Sequence, residues 1–513
     1  MNAPLGNLGT AHRRDQRSGW TGDLAMALAV TVLVTAWRTA GTVDSDVSWQ
    51  LWIAHQLNGG ARLYRDIVEV NPPLWFWMAL PVDALASALH LRADSVAVAA
   101  IGMLCAAALA ATSCLVAGTR AQRTFFLGYA ALILAAMPWM HLGQREQIVL
   151  IGTLPYAALA AVRRSGREVS SGLAAAIGMG AAFGFALKPY FLLVPLLLEL
   201  WLFASRGRGW RPIRPETVGM ATVGALYGLA LSTLAPDYLT ITLPLVRLAY
   251  GVTGAPHLGD LFQPSVLAAI AAIALAALQP RLLGTRRHGL VAALLVAALG
   301  FAGVYFIQDK GWIYHAIPLL GCASLALAAR LATGSRTRLT RLASPAVLAL
   351  PLLLAFAESR GEPAPGKDVI RAVDGIRPGE SVGFIATDPA FAWSVVIQRG
   401  FAYPSRYNGF WMMRAVVADE GRGGRDRRLA ALGRRVVTET VADFRCLPPR
   451  RIIVARPRAG EDGFDILPFF ERDPAFRALL AHYRPVERTT VEVFELRTSY
   501  DSLPRPSCRI FVR

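Results

Sequence analysis

The chain has 513 residues, of which 54% are hydrophobic and only 17% are charged. The hydrophobic residues form long blocks rather than the spaced pattern of a surface helix, which indicates a polytopic membrane protein and excludes a soluble globular one. The formal net charge is +18. Arginine in short loops between apolar blocks supplies most of it, and retention of such loops in the cytoplasm explains the charge without a nucleic-acid partner.

The first apolar block, near residues 22–40, follows a short polar leader that contains Arg13, Arg14 and Arg17. It lacks a small-residue cleavage site, so we predict a retained membrane helix with its N-terminus in the cytoplasm. Several later blocks are shorter than the roughly 20 residues that a spanning helix prefers. They lie near 74–90, 95–117, 125–141, 146–162, 171–187, 190–204, 217–235, 264–279, 289–308, 312–329 and 343–357.

The loops between these blocks alternate in charge, and this alternation predicts their orientation. The basic loops are 119–123, 163–167, 206–214, 281–288 and 330–341, whereas the loops near 145, 188, 237–260 and 308–315 form the other set. Basic loops stay in the cytoplasm, so the second set is predicted to be external. The alternation holds with eleven spans if block 74–90 is re-entrant or interfacial; a full crossing by that block would give twelve.

After about residue 358 the composition changes to glycine, proline and charge. Runs typical of β-strands at 381–386, 451–455 and 491–496 alternate with helical stretches at 427–440 and 474–482, which predicts a small α/β domain. We therefore predict a membrane domain at 1–357 and an extracytoplasmic domain at 358–513. Cys446 and Cys508 are expected to form a disulfide if this domain is outside the cytoplasm. Cys105, Cys114 and Cys322 are interpreted as small core residues.

The first external loop, residues 41–73, places Asp44 and Asp46 at the end of the first membrane helix. One interpretation is structural, because an acidic side chain caps the N-terminus of a following helix, with Ser45 or Asp46 as the cap of a helix over 47–57. The other interpretation is catalytic, because a carboxylate at the membrane surface can act as a general base toward an attacking hydroxyl. One residue can serve both purposes.

The same loop carries a longer pattern: Asp46, Ala54, Gly60, residues 64–66 (Tyr-Arg-Asp), Glu69 and residues 71–74 (Asn-Pro-Pro-Leu). This pattern resembles the first external loop of membrane glycosyltransferases of the GT-C fold, in particular the bacterial relatives of protein O-mannosyltransferases and lipid A aminoarabinose transferases. The resemblance implies a polyprenyl-phosphate-linked sugar donor and an Asp of this loop as base. The spacing favours Asp46 over Asp44, with Asp44 or Glu69 orienting the acceptor.

The other external loops supply candidates for binding the donor phosphate. A planar guanidinium at Arg145 can donate two hydrogen bonds to a phosphate, and Lys188 and Lys310 can act as point charges. Each also has a structural interpretation, as an interfacial anchor or an ion pair. The complete predicted set for the donor is Arg145, Glu146, Lys188, Tyr190, Lys310, Trp312, Tyr314 and His315, in which an aromatic ring stacks on the sugar.

The resemblance and the orientation together predict an inverting glycosyltransferase in the bacterial inner membrane. It would transfer a sugar from a polyprenyl-phosphate donor to a hydroxyl of a lipid, glycan or protein at the external face, with the C-terminal domain periplasmic or extracellular. Whether the reaction requires a divalent cation is left open. His257 and Asp260 alone supply too few ligands for a metal site. The alternatives are a lipid or polysaccharide flippase or transporter, and a catalytically inactive scaffold for envelope assembly. Sequence motifs for a phosphate-binding loop, a zinc site or a nucleophile elbow are absent.

Overall fold

The computed structural model describes residues 8–39, 41, 43–250, 258–278, 288–334, 338–360, 366–456 and 464–497. These residues divide into two compact units. We call the first the helical unit; it comprises Met1–Gly41, Ala97–Leu229 and Pro256–Arg360. We call the second the mixed unit; it comprises Thr42–Val96, Ala230–Ala255 and Gly361–Arg513.

Helices account for most of the described residues. Those up to residue 359 are α1 (Leu8–Arg38), α2 (Ser45–Asn58), α3 (Leu74–Leu89), α4 (Ala93–Ser113), α5 (Arg120–Ala131), α6 (Arg145–Arg164), α7 (Ser171–Ala186), α8 (Leu193–Arg206), α9 (Pro215–Leu234), α10 (Leu243–Tyr250), α11 (Pro264–Ala277), α12 (Gly289–Gln308), α13 (Ile317–Ala332) and α14 (Arg338–Ser359). Six helical segments of the described residues are long and apolar enough to cross a membrane: Ala93–Ser113, Pro189–Gly209, Pro215–Leu234, Gly289–Gln308, Ile313–Ala332 and Arg341–Ser359. The chain therefore has the character of a multi-pass membrane protein, whereas the predicted count of eleven to twelve spans is not confirmed.

Glycines allow the helices of the helical unit to approach closely. A Cβ atom at Gly184 of α7 would lie 2.9 Å from the Cα of Val149 in α6, and one at Gly152 of α6 would lie 3.1 Å from the Cα of Ala181. At Gly178 of α7, an added methyl group would overlap the backbone carbonyl of Glu216 in α9. Small residues let helix backbones pack in this way inside membranes.

Replacing Gly178 by alanine is therefore expected to destabilise the helical unit. The methyl group has to push α9 away, and overpacking of this kind costs about 1–3 kcal/mol. Gly180 of the same helix is the matched control, because no atom of a neighbouring helix lies within 4 Å of its added Cβ. Thermal unfolding in detergent should show a lower midpoint for Gly178→Ala and no loss for Gly180→Ala. Equal midpoints for the two variants would contradict this packing.

Ion pairs join the basic loops at one end of the helical unit. Asp23 of α1 lies 3.4 Å from the Nε atom of Arg123 and 3.6 Å from that of Arg120. At the C-terminal end of α6, Arg163 forms an ion pair with Glu216 at 2.8 Å. Arg206 donates a 2.5 Å hydrogen bond to the Arg163 carbonyl. The loops 163–167 and 206–214 thus lie together, as the predicted alternation of basic loops requires.

A four-stranded sheet forms the centre of the mixed unit. Its strands are β1 (Val382–Ile385), β2 (Arg451–Ala455), β3 (Tyr483–Arg488) and β4 (Val491–Leu496), in the order β1-β2-β4-β3. The β1–β2 pair is parallel, and the β2–β4 and β3–β4 pairs are antiparallel. The predicted runs at 381–386, 451–455 and 491–496 are confirmed as strands, whereas β3 was not predicted.

Helices of the C-terminal segment surround this sheet. They are α15 (Lys367–Ala372), α16 (Trp393–Arg399), α17 (Met413–Gly421), α18 (Arg427–Cys446), α19 (Leu467–Glu471) and α20 (Pro474–Leu480). Buried side chains of α17, α18 and α20 pack with β2 and β4 in one hydrophobic core, which also contains Ala249 of α10. The helical stretches predicted at 427–440 and 474–482 correspond to α18 and α20.

The first loop packs against the C-terminal segment. The ring centroids of Trp49 and Trp393 are 4.7 Å apart, and those of Trp52 and Tyr403 are 5.7 Å apart, which joins α2 to the C-terminal segment. The backbone N–H of Val68 also donates to a carbonyl of the C-terminal segment. Residues 42–96 therefore fold with 361–513, although the predicted division at residue 357 separates them; the extracytoplasmic position of this unit remains a prediction.

Block 74–90 forms a helix that is short for a membrane span. The 16 residues of α3 extend about 24 Å at 1.5 Å per residue, compared with a hydrocarbon core of about 30 Å. Within the mixed unit α3 packs on α2, where Gln50 donates a 2.5 Å hydrogen bond to the carbonyl of Trp75. The length and this contact favour the re-entrant or interfacial interpretation.

An acid–base pair also holds α2 to α3. The Nδ1 atom of His55 lies 3.2 Å from Asp83, and Asn58 donates a 2.8 Å hydrogen bond to the same carboxylate. The hydrogen bond to Asp83 raises the pKa of His55, despite an opposing effect of burial. The contact therefore stabilises the fold most when His55 is protonated.

This pair predicts a pH-dependent contribution to stability. A raised folded-state pKa gives stabilisation that is complete below the unfolded value of about 6.5 and disappears as the pH rises through the folded value. The midpoint difference between wild type and His55→Gln should be largest near pH 5.5 and smallest near pH 9. The imidazole is 43% exposed, so we expect an effect of at most about 1 kcal/mol. A pH-independent difference would contradict this assignment.

The cysteines differ between the two units. Cys105, Cys114 and Cys322 are free, and Cys105 and Cys322 are buried as expected of core residues, whereas Cys114 is exposed. Cys446, the last residue of α18, takes part in a disulfide bond. Cys508 lies outside the described residues.

Candidate functional site

The two aspartates of the first loop stand at the N-terminus of α2 and differ in role. The Oδ1 atom of Asp44 accepts a 2.8 Å hydrogen bond from the backbone N–H of Asp46, so Asp44 is the cap of the helix. The predicted cap at Ser45 or Asp46 is therefore wrong by one or two positions. Asp46 is half-buried in the first helical turn, where the helix dipole favours an ionised carboxylate.

Glu69 is enclosed by hydrogen-bond donors of the mixed unit. Its Oε2 atom accepts from the Trp49 indole at 2.5 Å. Its Oε1 atom accepts from the backbone N–H groups of Val70 and Asn71, both at 2.8 Å, and from the Asn71 side chain at 2.7 Å. A carboxylate with four donors is held in a fixed position, so the contacts of Glu69 are those of a residue that shapes the loop.

Tyr64 and Arg65 of the first loop contact the segment that follows α9. Arg65 forms a two-pronged ion pair with Asp237, with distances of 2.6 and 3.1 Å. Tyr64 adopts a left-handed backbone conformation with φ of 71°, and its hydroxyl donates to the Asn71 carbonyl at 2.7 Å. The elements that carry the family resemblance are thus joined to one another inside the mixed unit.

Three of the four predicted external loops meet at one end of the helical unit. The Nζ atom of Lys188 lies 2.5 Å from Glu146 and 2.7 Å from the Gln308 side-chain oxygen. The Nε2 atom of His315 lies 3.8 Å from the same Glu146 oxygen. We call Arg145, Glu146, Lys188, Gln308 and His315 the ionic cluster; each side chain is at least nine-tenths buried.

Helix breaks position the members of this cluster. Gly143, with φ of 94°, turns the chain into α6, so that Arg145 and Glu146 occupy its first turn. Pro189 disfavours a helical conformation for the residue before it, and Lys188 is accordingly extended with φ of −142°. Gln308 ends α12 immediately before Asp309, which is left-handed. Each side chain therefore leaves a helix end and enters the interior.

Several polar atoms of the cluster lack a protein partner. Among the described residues, no hydrogen bond reaches the Oε2 atom of Glu146, the Nε2 atom of Gln308 or the Nδ1 atom of His315. Buried polar groups are normally satisfied, and an unsatisfied one costs about 1–3 kcal/mol. The Gln308 amide and the two cationic side chains can bind an anion, whereas the Glu146 oxygen needs a hydrogen-bond donor.

The turn that follows α12 carries the aromatic candidates. The Trp312 ring is 48% exposed, and its centroid lies 5.6 Å from that of Tyr314 and 5.2 Å from that of His315. Partial burial lowers the pKa of Lys310, and the neighbouring Asp309 carboxylate opposes that shift. Tyr314 is buried, so Trp312 has more surface available for stacking on a sugar.

Asp260 holds this turn in place. Gly311 has φ of 59°, and a methyl group there would overlap the Asp260 carboxylate. Gln263, close by in sequence, donates to the Gly311 carbonyl. The predicted external loop 237–260 therefore contacts the loop 308–315 through Asp260, whose contact is one of packing. His257 lies outside the described residues.

The structure thus brings Arg145, Glu146, Lys188 and His315 to one place, with Tyr190 beside them, since the Lys188 Nζ atom lies 5.8 Å from the Tyr190 ring centroid. Asp44, Asp46 and Glu69 belong to the mixed unit. Sequence reasoning missed Gln308 as a member of the cluster, although a polar residue at the end of an apolar helix was a usable signal. It also missed the 2.7 Å contact between His141 and Glu358.

No group of three or more His, Cys, Asp or Glu side chains among the described residues is arranged to hold a metal ion. No protein-family model and no curated protein matches the chain. Among solved structures, the crystal structure of ArnT from Cupriavidus metallidurans bound to undecaprenyl phosphate is similar, with 13% identity, coverage of 95% of this chain and 100% of that chain, and a TM-score of 0.42. A TM-score this low does not establish a shared fold.

Proposed function

We propose that the chain is an inverting glycosyltransferase of the GT-C type that uses a polyprenyl-phosphate-linked sugar as donor. The acceptor is a hydroxyl of a lipid, glycan or protein at the external face of the bacterial inner membrane. The proposal rests on the buried ionic cluster of the helical unit, which combines two cationic side chains with the unsatisfied polar atoms of Glu146, Gln308 and His315. The resemblance of the first loop supports it independently.

The charges of the cluster suit a phosphodiester. Arg145 and Lys188 contribute two positive charges and Glu146 one negative charge, so a neutral His315 leaves an excess of one positive charge. A sugar phosphodiester carries one negative charge and would balance it. The Gln308 amide can donate to a phosphate oxygen, and the free Oε2 atom of Glu146 can accept from a sugar hydroxyl.

In the proposed reaction, Asp46 takes the proton of the acceptor hydroxyl as its oxygen attacks the anomeric carbon of the sugar. The bond between that carbon and the phosphate oxygen breaks from the opposite side, which inverts the configuration. The phosphate leaves as a monoester with one further negative charge, and Arg145, Lys188 and Lys310 stabilise this charge as it develops. Trp312 stacks on the sugar ring.

In this proposal the remaining residues position substrates. Asp44 fixes the helix turn that carries Asp46, and Glu69 fixes the loop through its four hydrogen bonds. Tyr190 and Tyr314 line the donor site beside Lys188 and His315. The disulfide at Cys446 supports an extracytoplasmic position for the mixed unit, because disulfides persist in oxidising compartments.

A transfer assay tests this function. The purified chain in lipid vesicles is supplied with a panel of labelled polyprenyl-phosphate sugars and with a membrane extract as the source of acceptors. We expect label to enter a product whose mass exceeds that of the acceptor by one sugar, together with release of polyprenyl phosphate. Movement of the intact donor across the vesicle without transfer would instead identify a flippase. Neither transfer nor movement of any donor would favour the inactive scaffold.

A further inference from the structure

A second cavity lies at the other end of the helical unit, where the ends of α4, α5, α6, α12 and α13 meet. Its volume is about 230 Å³. It is lined by Leu115, Val116, Ala117, Gln122, Phe126, Ala158, Ala161, Val162, Ser165, Arg167, Gly289, Leu290, Val291, Ala329, Ala332 and Thr333. We call it the basic-end cleft, because the loops 119–123 and 163–167 border it.

The basic-end cleft is distant from the ionic cluster. Helix α6 begins with Arg145 and Glu146 in the cluster and reaches the cleft with Ala158 to Ser165, and its 20 residues span about 30 Å. Helices α12 and α13 likewise have one end in each site. The two sites are therefore separated by roughly the thickness of the hydrocarbon core, and the cleft is not a part of the proposed donor site.

The lining changes from polar to apolar along the helix axes. Gln122, Ser165 and Thr333 stand at helix ends, whereas Phe126 lies one turn farther into α5 and Ala158 nearly two turns farther into α6. The polar side chains of the lining all lie at helix ends, and the residues farther inside are apolar. This arrangement matches a lipid, whose headgroup meets the aqueous interface and whose chains enter the hydrocarbon.

The charge of this end selects an anionic headgroup. Loops 119–123 and 163–167 contain arginines and no acidic residue. Two nearby carboxylates are already engaged, Asp23 by Arg123 and Glu216 by Arg163. Glu168, next to Arg167 in the chain, is exposed and does not line the cleft. Arg167 is exposed at the cleft, and among the described residues it has no ion-pair partner.

The start of α12 adds to this positive potential. Gly289, Leu290 and Val291 form its first turn and line the cleft. No side-chain hydrogen bond caps the helix at its N-cap residue, so first-turn N–H groups are without an intrahelical acceptor. The positive end of the helix dipole therefore faces the same cleft as Arg167.

We propose that the basic-end cleft binds the headgroup region of an anionic phospholipid. Basic pockets between membrane helices are suited to such headgroups. At about 230 Å³ the cleft is smaller than the roughly 300–1,000 Å³ of pockets that enclose a drug-sized ligand. It accommodates the phosphate region and the first methylene groups, and the remainder of the chains lies along the outer surface of the helices.

Native mass spectrometry of the full chain in detergent tests this site. The ligands are phosphatidylglycerol, phosphatidylethanolamine and free glycerol phosphate. Arg167→Gln removes the charge, Ala161→Phe fills the cleft, and Arg208→Gln is the matched control, because Arg208 is exposed in the neighbouring basic loop and does not line the cleft. We expect preferential retention of phosphatidylglycerol, reduced roughly five- to tenfold by Arg167→Gln, strongly reduced by Ala161→Phe and unchanged by Arg208→Gln.

Three results would overturn the proposal. The first is equal retention of phosphatidylglycerol by wild type and Arg167→Gln, because this substitution leaves the cleft open and the fold undisturbed. The second is equal retention of the anionic and the zwitterionic lipid. The third is glycerol phosphate binding as tightly as the intact lipid, which would identify a site for a free phosphate. Sugar transfer is not needed for any of these readouts, so they are independent of the proposed function.

Discussion

Asp46→Asn is expected to reduce sugar transfer by a factor of about 10²–10⁴, which is the usual contribution of a general base. Asparagine has the same shape but cannot take the proton of the acceptor hydroxyl. Helix α2 should be undisturbed, because its cap is Asp44 rather than Asp46. Binding of polyprenyl phosphate should also persist, since the phosphate site is assigned to other residues. Initial rates with a labelled donor measure the first effect, and equilibrium lipid binding measures the second.

Asp44→Asn is the matched control for that variant. It removes one negative charge at the same helix end, and the amide oxygen of asparagine can still accept the hydrogen bond from the Asp46 N–H. We expect a loss of less than about tenfold, because the cap is kept. A severe loss in Asp44→Asn with normal rates in Asp46→Asn would assign the base to Asp44. Normal rates in both variants would contradict a carboxylate base in this loop.

Lys188→Met is expected to have the largest effect on stability. Glu146 is fully buried and lies 2.5 Å from the Lys188 ammonium, so this substitution leaves a buried charge without its partner. Breaking a buried ion pair in this way costs about 3–5 kcal/mol. The variant should unfold at a markedly lower temperature in detergent and should also lose affinity for polyprenyl phosphate.

The double variant Lys188→Met with Glu146→Gln separates the two effects. Both charges of the pair are then removed together, so much of the stability should return. Affinity for polyprenyl phosphate should not return, because the ammonium that would bind the phosphate is still missing. A stable double variant with wild-type affinity would show that the pair is structural and that the phosphate binds elsewhere.

Local sequence patterns were sufficient for much of the mixed unit. The strands β1, β2 and β4 are rich in β-branched and aromatic residues and were predicted from that composition. Strand β3 contains Arg484, Pro485 and Glu487 and is exposed along most of its length. Among the described residues it pairs only with β4, at the edge of the sheet, so its existence depends on a partner and not on its own composition.

The division of the chain into the helical unit and the mixed unit could not be predicted from local patterns. Trp49 packs against Trp393, a residue more than 300 positions later in the chain. Without that contact, residues 41–73 are interpreted as a loop and residues 74–90 as a membrane-associated block, so the predicted domain boundary lies near residue 357. Contacts at this separation are set by tertiary packing, which hydrophobic periodicity does not encode.

The ionic cluster was partly predictable for a clear physical reason. Alternating basic loops assigned the turns at residues 145, 188 and 308–315 to one side of the membrane, and the structure brings these turns together. The direct pairing of Lys188 with Glu146 was not predictable, because it depends on which helices are neighbours. The same limit applies to the basic-end cleft, whose lining comes from five different helices.

The most direct test is the structure of the protein determined with a bound polyprenyl phosphate. We predict that the phosphate lies within hydrogen-bond distance of Arg145 and Lys188, with the Gln308 amide or His315 as a further contact. A phosphate bound elsewhere, with the Lys188–Glu146 pair unchanged and the cluster empty of ligand, would contradict it.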